Sequence, residues 1–490
     1  MPRSANPQYS TYKTQQFGFG KDPFVRNTTN YDVFDALYKN CYIENVANKS
    51  MQQFEIAISK RIGTTDVHTP TGSFRGCFFW EYKNVLVVAV GNSLLIINPD
   101  TNVVTTTVSG VFGTTTGDVG FTEYAYTSGE INLVYSDGTT LGRLKGDYTF
   151  ENSTSPNIPT PHVPRISTLD GYIFLIKKDT QDIYNSDNNN PLTYTTGEFI
   201  TAEMEADNMV EVAQLSNYIV AFGKNSLEYY YDAANASGSP LQRNDTFFKN
   251  IGYIGGLAKI GNKLVFLGKT FGGLLDIFIV EDSKVSSIES QLIKKLLNNN
   301  KQIFSNITAA IAPIDGNNLY IINTPIKTFV VNLDTLSVTV WEYQALGKFD
   351  CKYYTQGLSS TQGSIVYIFN NDVNKLIKFD PTVFTDSGTP YTYYLRTDMM
   401  MMGTMQMKFV SRLSIVCDNG NTTGTIGLSW VDEDYTLQPS AVTLQIPMRQ
   451  ELPSVRRLGG FRKRSFIFSS NDDQPARLFG FELDMNMGAS

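Results

Sequence analysis

Residues 85–108 read VLVVAVGNSLLIINPDTNVVTTTV, and this stretch decides the fold. Two apolar runs, 85–90 and 93–97, stand on either side of Gly91 and Asn92. Glycine and asparagine tolerate the positive φ angles that tight hairpin turns require. The stretch therefore predicts two antiparallel strands joined by a short turn.

The same unit of apolar strand, turn and second apolar strand recurs along the chain. It begins at Val85, Ile131, Tyr172, Tyr218, Leu264, Leu319 and Ile365. These positions are 46, 41, 46, 46, 55 and 46 residues apart, close to the period of roughly 40–50 residues of β-propeller blades, each a four-stranded antiparallel sheet. Regular turns are also typical of a sandwich made of hairpins. The period favours a propeller of six or seven blades.

One segment interrupts the repeat. Residues 287–299 read SIESQLIKKLLNN. Apolar side chains fall on one face at the three- and four-residue spacing of an amphipathic helix; they are Ile288, Leu292, Ile293, Leu296 and Leu297. We predict a helix inserted at about 287–299, which accounts for the interval of 55 residues.

The two ends of the chain differ from the repeat. Residues 1–50 are polar and aromatic without a long periodic element, and we expect an extended arm that orders against another surface. From about Pro390, apolar segments predict a small antiparallel sandwich or barrel. Within it, alternate methionines of Met399–Met402 are expected to face a core; the alternative is a flexible binding surface of the kind that methionine supplies. The predicted all-β fold thus has an arm (1–50), a propeller-like repeat domain with one inserted helix (51–388) and a sandwich-like domain (389–490).

Composition limits the classes of function. Charged residues make up 18% of the chain, against roughly 25% in an average globular protein. The net charge of −7 argues against a protein that binds nucleic acid along its whole surface, so any DNA contact is expected to be local. Four widely separated cysteines without a CxxC pair predict neither a zinc site nor a disulfide framework.

The N-terminal sequence MPRSANPQYSTYK has no apolar core of a signal peptide, and no stretch approaches 18 consecutive apolar residues. We therefore expect neither secretion by that route nor a membrane span.

We find no catalytic pattern in the sequence. The two histidines, His68 and His162, lie in turns rich in proline and threonine, without a serine, cysteine or carboxylate at motif spacing. Nucleotide-binding, zinc-protease and EF-hand motifs are absent from the sequence. Acidic pairs such as Asp432 with Asp434 are interpreted as solvated turns. The prediction is a protein that is not an enzyme and has no metal or cofactor site.

One cluster of charge is a candidate contact. Five positive charges fall within nine residues, at Arg456, Arg457, Arg462, Lys463 and Arg464. Such a turn can neutralise phosphates or pair with an acidic protein surface. The alternative is a solvated hairpin beside the strand RSFIFSS, so DNA, a neighbouring subunit and solvent all remain open.

Three stretches resemble the tail hub or nozzle proteins of short-tailed bacteriophages, also called packaged-DNA stabilisation proteins. They are LSNYIVAFGKNSLEYYYDAANASGSPLQ (215–242), FFKNIGYIGGLAKIGNKLVFLG (247–268) leading into IVEDSKVSSIESQLIKKLL (279–297), and VRRLGGFRKRSFIFSSNDDQPARLFGFELDM (455–485). Their order and spacing carry the resemblance, which spans most of residues 30–490. The first 30 residues and Asn298–Asn300 have no counterpart.

The resemblance implies a structural virion protein of the tail, assembled in the host cytoplasm. Such a protein is expected to form a ring, usually of six subunits, below the portal adaptor. It would continue the DNA channel without sequence specificity, retain the genome until ejection, and carry spikes or fibres and a needle or plug. The propeller would face outward while the sandwich and the arm build the ring. A propeller glycan hydrolase and a carbohydrate-binding module are the alternatives.

Overall fold

The computed structural model describes residues 11–16, 37–45, 56–202, 204–205, 207–235, 237–290, 293–294, 297–298, 307–361, 363–418, 423–432, 443–450 and 452–488. Within them the fold is almost entirely β, with short 3₁₀ turns at Glu81–Lys83 and Asp245–Phe247. The strands before the first complete blade are β1 (Thr11–Gln16), β2 (Leu37–Lys39), β3 (Cys41–Asn45), β4 (Ile56–Lys60) and β5 (Gly63–His68).

Six blades of four antiparallel strands follow in chain order. Blade 1 has β6 (Phe74–Trp80), β7 (Val85–Val90), β8 (Ser93–Ile97) and β9 (Val104–Val108). Blade 2 has β10 (Gly120–Ala125), β11 (Ile131–Ser136), β12 (Leu141–Leu144) and β13 (Phe150–Asn152). Blade 3 has β14 (Ser167–Leu169), β15 (Tyr172–Ile176), β16 (Asp182–Asn185) and β17 (Phe199–Thr201).

The next three blades keep the same order. Blade 4 has β18 (Met209–Leu215), β19 (Tyr218–Gly223), β20 (Leu227–Asp232) and β21 (Leu241–Arg243). Blade 5 has β22 (Ile251–Ile260), β23 (Lys263–Thr270), β24 (Leu275–Glu281) and β25 (Lys284–Ser287). Blade 6 has β26 (Thr308–Ile314), β27 (Asn317–Asn323), β28 (Thr328–Asn332) and β29 (Ser337–Trp341).

The seventh blade of the described chain closes the ring. It consists of β30 (Tyr353–Ser359), β31 (Gly363–Asn370) and β32 (Lys375–Asp380). Its outer strand is β5, which pairs antiparallel with β32 from the other end of the repeat. One core cluster joins blades 7 and 1, with Ile365 and Tyr367 packed beside Phe74 and Leu86. The predicted propeller is confirmed, and it has seven blades.

The positions that revealed the repeat belong to the second strand of every blade. Val85 begins β7 and Ile131 begins β11; Leu319 is the third residue of β27. Hydrophobic clusters lie between neighbouring blades, as where Leu215 and Val220 of blade 4 meet Leu264 of blade 5. A strand covered on both faces reads as a continuous apolar run.

Two short strands, β33 (Thr385–Asp386) and β34 (Thr389–Pro390), extend the sheet of blade 7, since β33 pairs with β5. The C-terminal strands that follow complete a two-sheet sandwich. They are β35 (Tyr393–Arg396), β36 (Lys408–Cys417), β37 (Thr425–Asp432), β38 (Leu444–Pro447), β39 (Ser454–Arg456), β40 (Gly460–Phe461), β41 (Arg464–Ser470) and β42 (Arg477–Met487). One sheet has the order β3-β4-β42-β36-β39, while β2-β35-β41-β37-β38 form part of the other. Leu413 and Phe481 of the first sheet share one core with Leu428 and Phe468 of the second. The predicted sandwich is confirmed.

The N-terminal segments connect the two bodies. β2 pairs with β29 of blade 6 on one side and with β35 of the sandwich on the other, so blade 6 and one sandwich sheet form a continuous nine-stranded sheet. β4, within the predicted repeat domain, pairs instead with β3 and β42. The domain boundaries at residues 50 and 388 stay a prediction. The pairing of β4 with β3 and β42 means that a strand after residue 50 belongs to a sheet of the sandwich.

The predicted helix at about 287–299 lies partly outside the described residues. Ile293, Lys294, Leu297 and Asn298 have helical backbone, and the Lys294 amide donates to the Ser290 carbonyl over 2.9 Å. Ile293 and Leu297 are buried in the core shared by blades 5 and 6.

Candidate functional site

The predicted basic cluster lies at one end of the sandwich. Arg456 ends β39, and Arg457 follows it with a φ of 67°. Arg462 and Lys463 form the turn between β40 and β41. Arg456, Arg457 and Arg462 are exposed, while Lys463 is half-buried. The structure therefore exposes three of the five predicted side chains.

Arg464 is a correction to the predicted contact group. Its side chain is 1% exposed and donates from Nε and Nη2 to the two carboxylate oxygens of Asp432, over 2.6 and 2.7 Å. Nη1 donates to the Leu458 carbonyl over 2.6 Å, and the guanidinium lies 4.4 Å from the ring centre of Phe461. A guanidinium held in this bidentate geometry shapes the turn from inside and is not among the exposed side chains of the cluster. Asp432 is correspondingly a structural partner.

A buried lysine joins the basic turn to the methionine-rich loop. Lys408 is fully buried, and its ammonium donates to the carbonyls of Thr404, Gln406 and Arg462 over 2.6, 3.0 and 2.8 Å. Three carbonyl acceptors offset much of the cost of burying this charge. The loop at 399–407 and the turn at 457–463 are consequently fixed side by side.

Apolar side chains lie exposed beside these arginines. Met401, Met405 and Phe409 are 43%, 52% and 51% exposed. Phe409 lies over Gly460, where an added Cβ would come within 2.9 Å of the phenylalanine ring. We call Arg456, Arg457, Arg462, Met401, Met405 and Phe409 the arginine–methionine surface. Methionine, aromatic residues and arginine are the types enriched in protein interfaces.

The run Met399–Met402 does not alternate as predicted. Met399 and Met402 are both buried, at 7% and 8% exposure, whereas Met401 is exposed. This segment is a loop with one isolated bridge at Met400, so the two-residue period of a strand does not apply.

The propeller channel brings together charged residues that sequence reasoning missed. Arg165 precedes β14, Glu211 lies on β18 and Lys259 on β22. Together with Tyr354 of blade 7 they line a cavity of about 260 Å³. Arg165, Glu211 and Lys259 follow one another at intervals of 46 and 48 residues. These intervals are near the blade period, which is the one feature of the sequence that indicates that the three residues lie together.

His162 makes a serine contact that the sequence did not reveal. Its Nε2 lies 2.5 Å from Ser136 Oγ, and its Nδ1 lies 2.7 Å from the Pro159 carbonyl oxygen. Ser136 is fully buried and His162 is 2% exposed, so no substrate reaches the pair. Nδ1 donates to the carbonyl and Nε2 accepts from the serine, which is the arrangement of a neutral imidazole. Burial lowers the pKa of His162.

We expect His162 to make folding stability depend on pH. Its pKa in the folded chain is below the value of about 6.5 in an unfolded chain, so the unfolded chain binds this proton first as the pH falls. The stabilisation is present above pH 6.5 and is lost below it, by at most about 1.4 kcal/mol per pH unit. Urea unfolding between pH 7.5 and 5.5 measures the slope, which His162→Asn should reduce. An unchanged slope in His162→Asn would show that the imidazole titrates normally.

In the described part of the chain, no group of three or more histidine, cysteine, aspartate or glutamate side chains is placed to hold a metal ion. No helix in the described ranges is long and apolar enough to cross a membrane.

Comparisons with known proteins give one family match. A family model described as Phage_stabilise, Bacteriophage P22 Gp10, beta-propeller, matches residues 29–377. No curated protein matches the chain.

Solved propeller-like structures also resemble the chain. A streptogramin B lyase has 12% identity and a TM-score of 0.41 over 70% of this chain and 98% of its own. The N-terminal domain of Nup159 has 11% identity and a TM-score of 0.40 over 70% and 100%. Selenomethionine-substituted virginiamycin B lyase from Staphylococcus aureus has 12% identity and a TM-score of 0.41 over 69% and 98%. TM-scores of this size carry no argument about what this chain does.

Proposed function

Because the chain belongs to the Phage_stabilise family, described by bacteriophage P22 Gp10 and its β-propeller, we propose that it forms the ring-shaped tail nozzle, or hub, of a short-tailed bacteriophage. The family match over residues 29–377 is the observation that carries this proposal. The protein would act by assembly and without catalysis, retaining packaged DNA and then conducting it during ejection.

The proposed ring is a homohexamer attached below the portal adaptor protein. The arginine–methionine surface supports a role in its subunit contacts, since it combines exposed apolar side chains with arginines, and the whole chain is acidic, with a net charge of −7. Acidic surface on a neighbouring copy would complement the arginines. In this arrangement the sandwich and the arm build the ring and the propeller faces outward.

The DNA path in this proposal is the lumen of the ring. A single propeller channel cannot serve, because the cavity there has a volume of only about 260 Å³. That volume is below the roughly 300–1,000 Å³ of a site for one drug-sized ligand, so a DNA duplex does not fit within it. Contact with DNA would be to phosphates and independent of sequence.

The remaining partners follow from the tail position. We propose that the ring anchors tail spikes or fibres and receives a needle or plug, and that it assembles in the host cytoplasm before becoming part of the virion tail. We also propose the division into an arm (1–50), a propeller domain with one inserted helix (51–388) and a sandwich domain (389–490). A glycan hydrolase or carbohydrate-binding module is the alternative, and turnover or binding of a panel of glycans would favour it.

Assembly tests the proposal. Purified protein mixed with portal–adaptor rings is expected to form a closed ring on the adaptor, measured by light scattering and native mass spectrometry. The triple variant Arg456→Glu, Arg457→Glu and Arg462→Glu should lose ring assembly and release packaged DNA from particles, because three exposed positive charges become negative. Arg464 is left intact since it holds the turn.

The matched control reverses three exposed lysines of the propeller, Lys178, Lys224 and Lys284. Lys178→Glu, Lys224→Glu and Lys284→Glu change the net charge equally and should leave ring assembly intact. A wild-type chain that stays monomeric on adaptor rings would refute the nozzle proposal. Normal rings with full DNA retention in the arginine triple variant would instead show that this turn is only solvated.

A further inference from the structure

The propeller channel contains a polar cavity that the assembly proposal does not use. Blades 2, 3, 4, 5 and 7 all contribute to its wall, which encloses about 260 Å³. This is slightly smaller than the roughly 300–1,000 Å³ of pockets that take drug-sized ligands. The cavity therefore suits a ligand no larger than a phosphorylated monosaccharide.

Arg165 is the first cation in this cavity. Its side chain is 59% exposed although blades surround it, because it faces the open space of the channel. Nε lies 3.3 Å from Oε2 of Glu211, whose side chain is 8% exposed. The charge of Glu211 raises the pKa of Arg165. For Nη1 and Nη2, no acceptor is found among the described residues, so the outer edge of the guanidinium keeps its donors available.

Lys259 is the second cation. It is exposed to the cavity, and its ammonium has no acceptor within the described ranges. Partial burial among the residues of the wall lowers the pKa of Lys259, as expected of a cation that has lost hydration without gaining a partner. Tyr354 lines the same cavity: burial raises the pKa of its hydroxyl, while the charge of Arg165 and the backbone N–H of Lys259 lower it.

The acidic groups nearby do not cancel both cations. Glu211 uses Oε1 to accept from the Val212 amide over 3.2 Å, so both of its oxygens are engaged. Asp118, whose charge also acts on Arg165, lies 3.9 Å from the Lys352 ammonium and accepts from the Tyr353 hydroxyl. One buried carboxylate thus faces two cations inside the cavity, which leaves an excess of positive charge. Gln214 and Thr168 add neutral polar groups to the wall.

We propose that this cavity binds a small oxyanion, a phosphate group carried either by the free ion or by a sugar phosphate. Arg165 presents two parallel N–H donors, the geometry in which a guanidinium binds phosphate bidentately, and Lys259 supplies a point charge from blade 5, two blades further along the chain. The proposal does not depend on the nozzle assignment, since one chain contains the whole cavity.

Calorimetric titration of the full chain tests this, with inorganic phosphate, glucose 1-phosphate and glucose as probes at constant ionic strength. We expect phosphate compounds to bind saturably, with one molecule per chain, and glucose not to bind. Inorganic phosphate bound alone identifies the free ion as the source, whereas tighter glucose 1-phosphate identifies a sugar phosphate. Failure of both phosphates to saturate the protein would overturn the proposal, whether or not rings assemble.

Variants locate the site. Arg165→Gln and Lys259→Gln should each weaken phosphate binding by about tenfold or more, since a hydrogen bond to a charged group contributes about 1.5–3 kcal/mol and 1.4 kcal/mol is tenfold. The control is Lys263→Gln, on β23 of the same blade, whose ammonium pairs with Glu281 at 3.3 Å outside the cavity. Thermal unfolding verifies that each variant is folded. Unchanged affinity in both cavity variants would refute the assignment.

Discussion

Replacing Asp386 with alanine is expected to lower the free energy of unfolding by about 3–5 kcal/mol, the cost of leaving one charge of a buried pair without its partner. Both Asp386 and Arg61 have fully buried side chains. Arg61 donates from Nη1 and Nη2 to the two carboxylate oxygens over 2.8 and 2.6 Å. Its guanidinium also lies 3.7 Å from the ring centre of Tyr391. Urea unfolding measures the loss.

The Arg61–Asp386 pair lies where the propeller joins the sandwich. Arg61 also donates to the Glu342 carbonyl after blade 6 and to Asn40 Oδ1 between β2 and β3. Asp386 accepts from the Gln344 amide over 2.8 Å. The pair therefore fixes the propeller to the sandwich, and its loss should loosen the joint as well as lower stability.

An exposed ion pair is the control for Asp386→Ala. Glu151 lies 2.8 Å from Arg143, and their side chains are 48% and 21% exposed. Glu151→Ala should cost no more than about 1 kcal/mol, because water screens and replaces the interaction. Equal losses in Asp386→Ala and Glu151→Ala would contradict the buried-pair argument. Asp386→Asn, which keeps a hydrogen-bond acceptor, should fall between them.

The local part of the fold could be predicted from the sequence, because each blade carries its own signal. The second strand of a blade is buried on both sides, so runs such as 85–90 and 172–176 are continuously apolar. Gly91 takes the positive φ of 56° that its turn requires. These features depend on neighbours only a few residues away.

The rest depended on pairings between distant segments. β5 lies more than 300 residues before β32, its partner in blade 7. Nothing in the sequence of the six residues Gly63–His68 indicates that pairing. In the basic cluster, the sequence could not separate Arg464 from Arg462, because burial of Arg464 requires Asp432 on another strand. The channel cations were missed for the same reason: Lys259 and Arg165 meet only when the ring of blades is closed.

Gly357→Val, at the closure of that ring, is the second substitution for which we expect a large effect. It should lower the free energy of unfolding by about 1–3 kcal/mol, because the added side chain overpacks the core. Gly357 lies on β30 of blade 7, where an added Cβ would come 2.2 Å from the ring of Phe79 on β6 of blade 1. Phe79 is 3% exposed, and its amide donates to Thr355 Oγ1 over 2.8 Å, so it has little freedom to move. The shift in urea midpoint measures the loss.

A double-mutant cycle shows whether this loss arises at the seam between blades 7 and 1. Phe79→Ala removes the ring that the valine would strike, so adding Gly357→Val to it should cost less than in the wild type, by about 0.5–3 kcal/mol of coupling. Gly272→Val is the control, because an added Cβ there meets nothing closer than 3.9 Å. Additive losses in the cycle would mean that the valine acts on its own strand and that the ring tolerates a wider seam. Coupling would instead mean that the first and last blades close with no spare volume, so that the channel and its cations are held in place by contact between the two ends of the repeat.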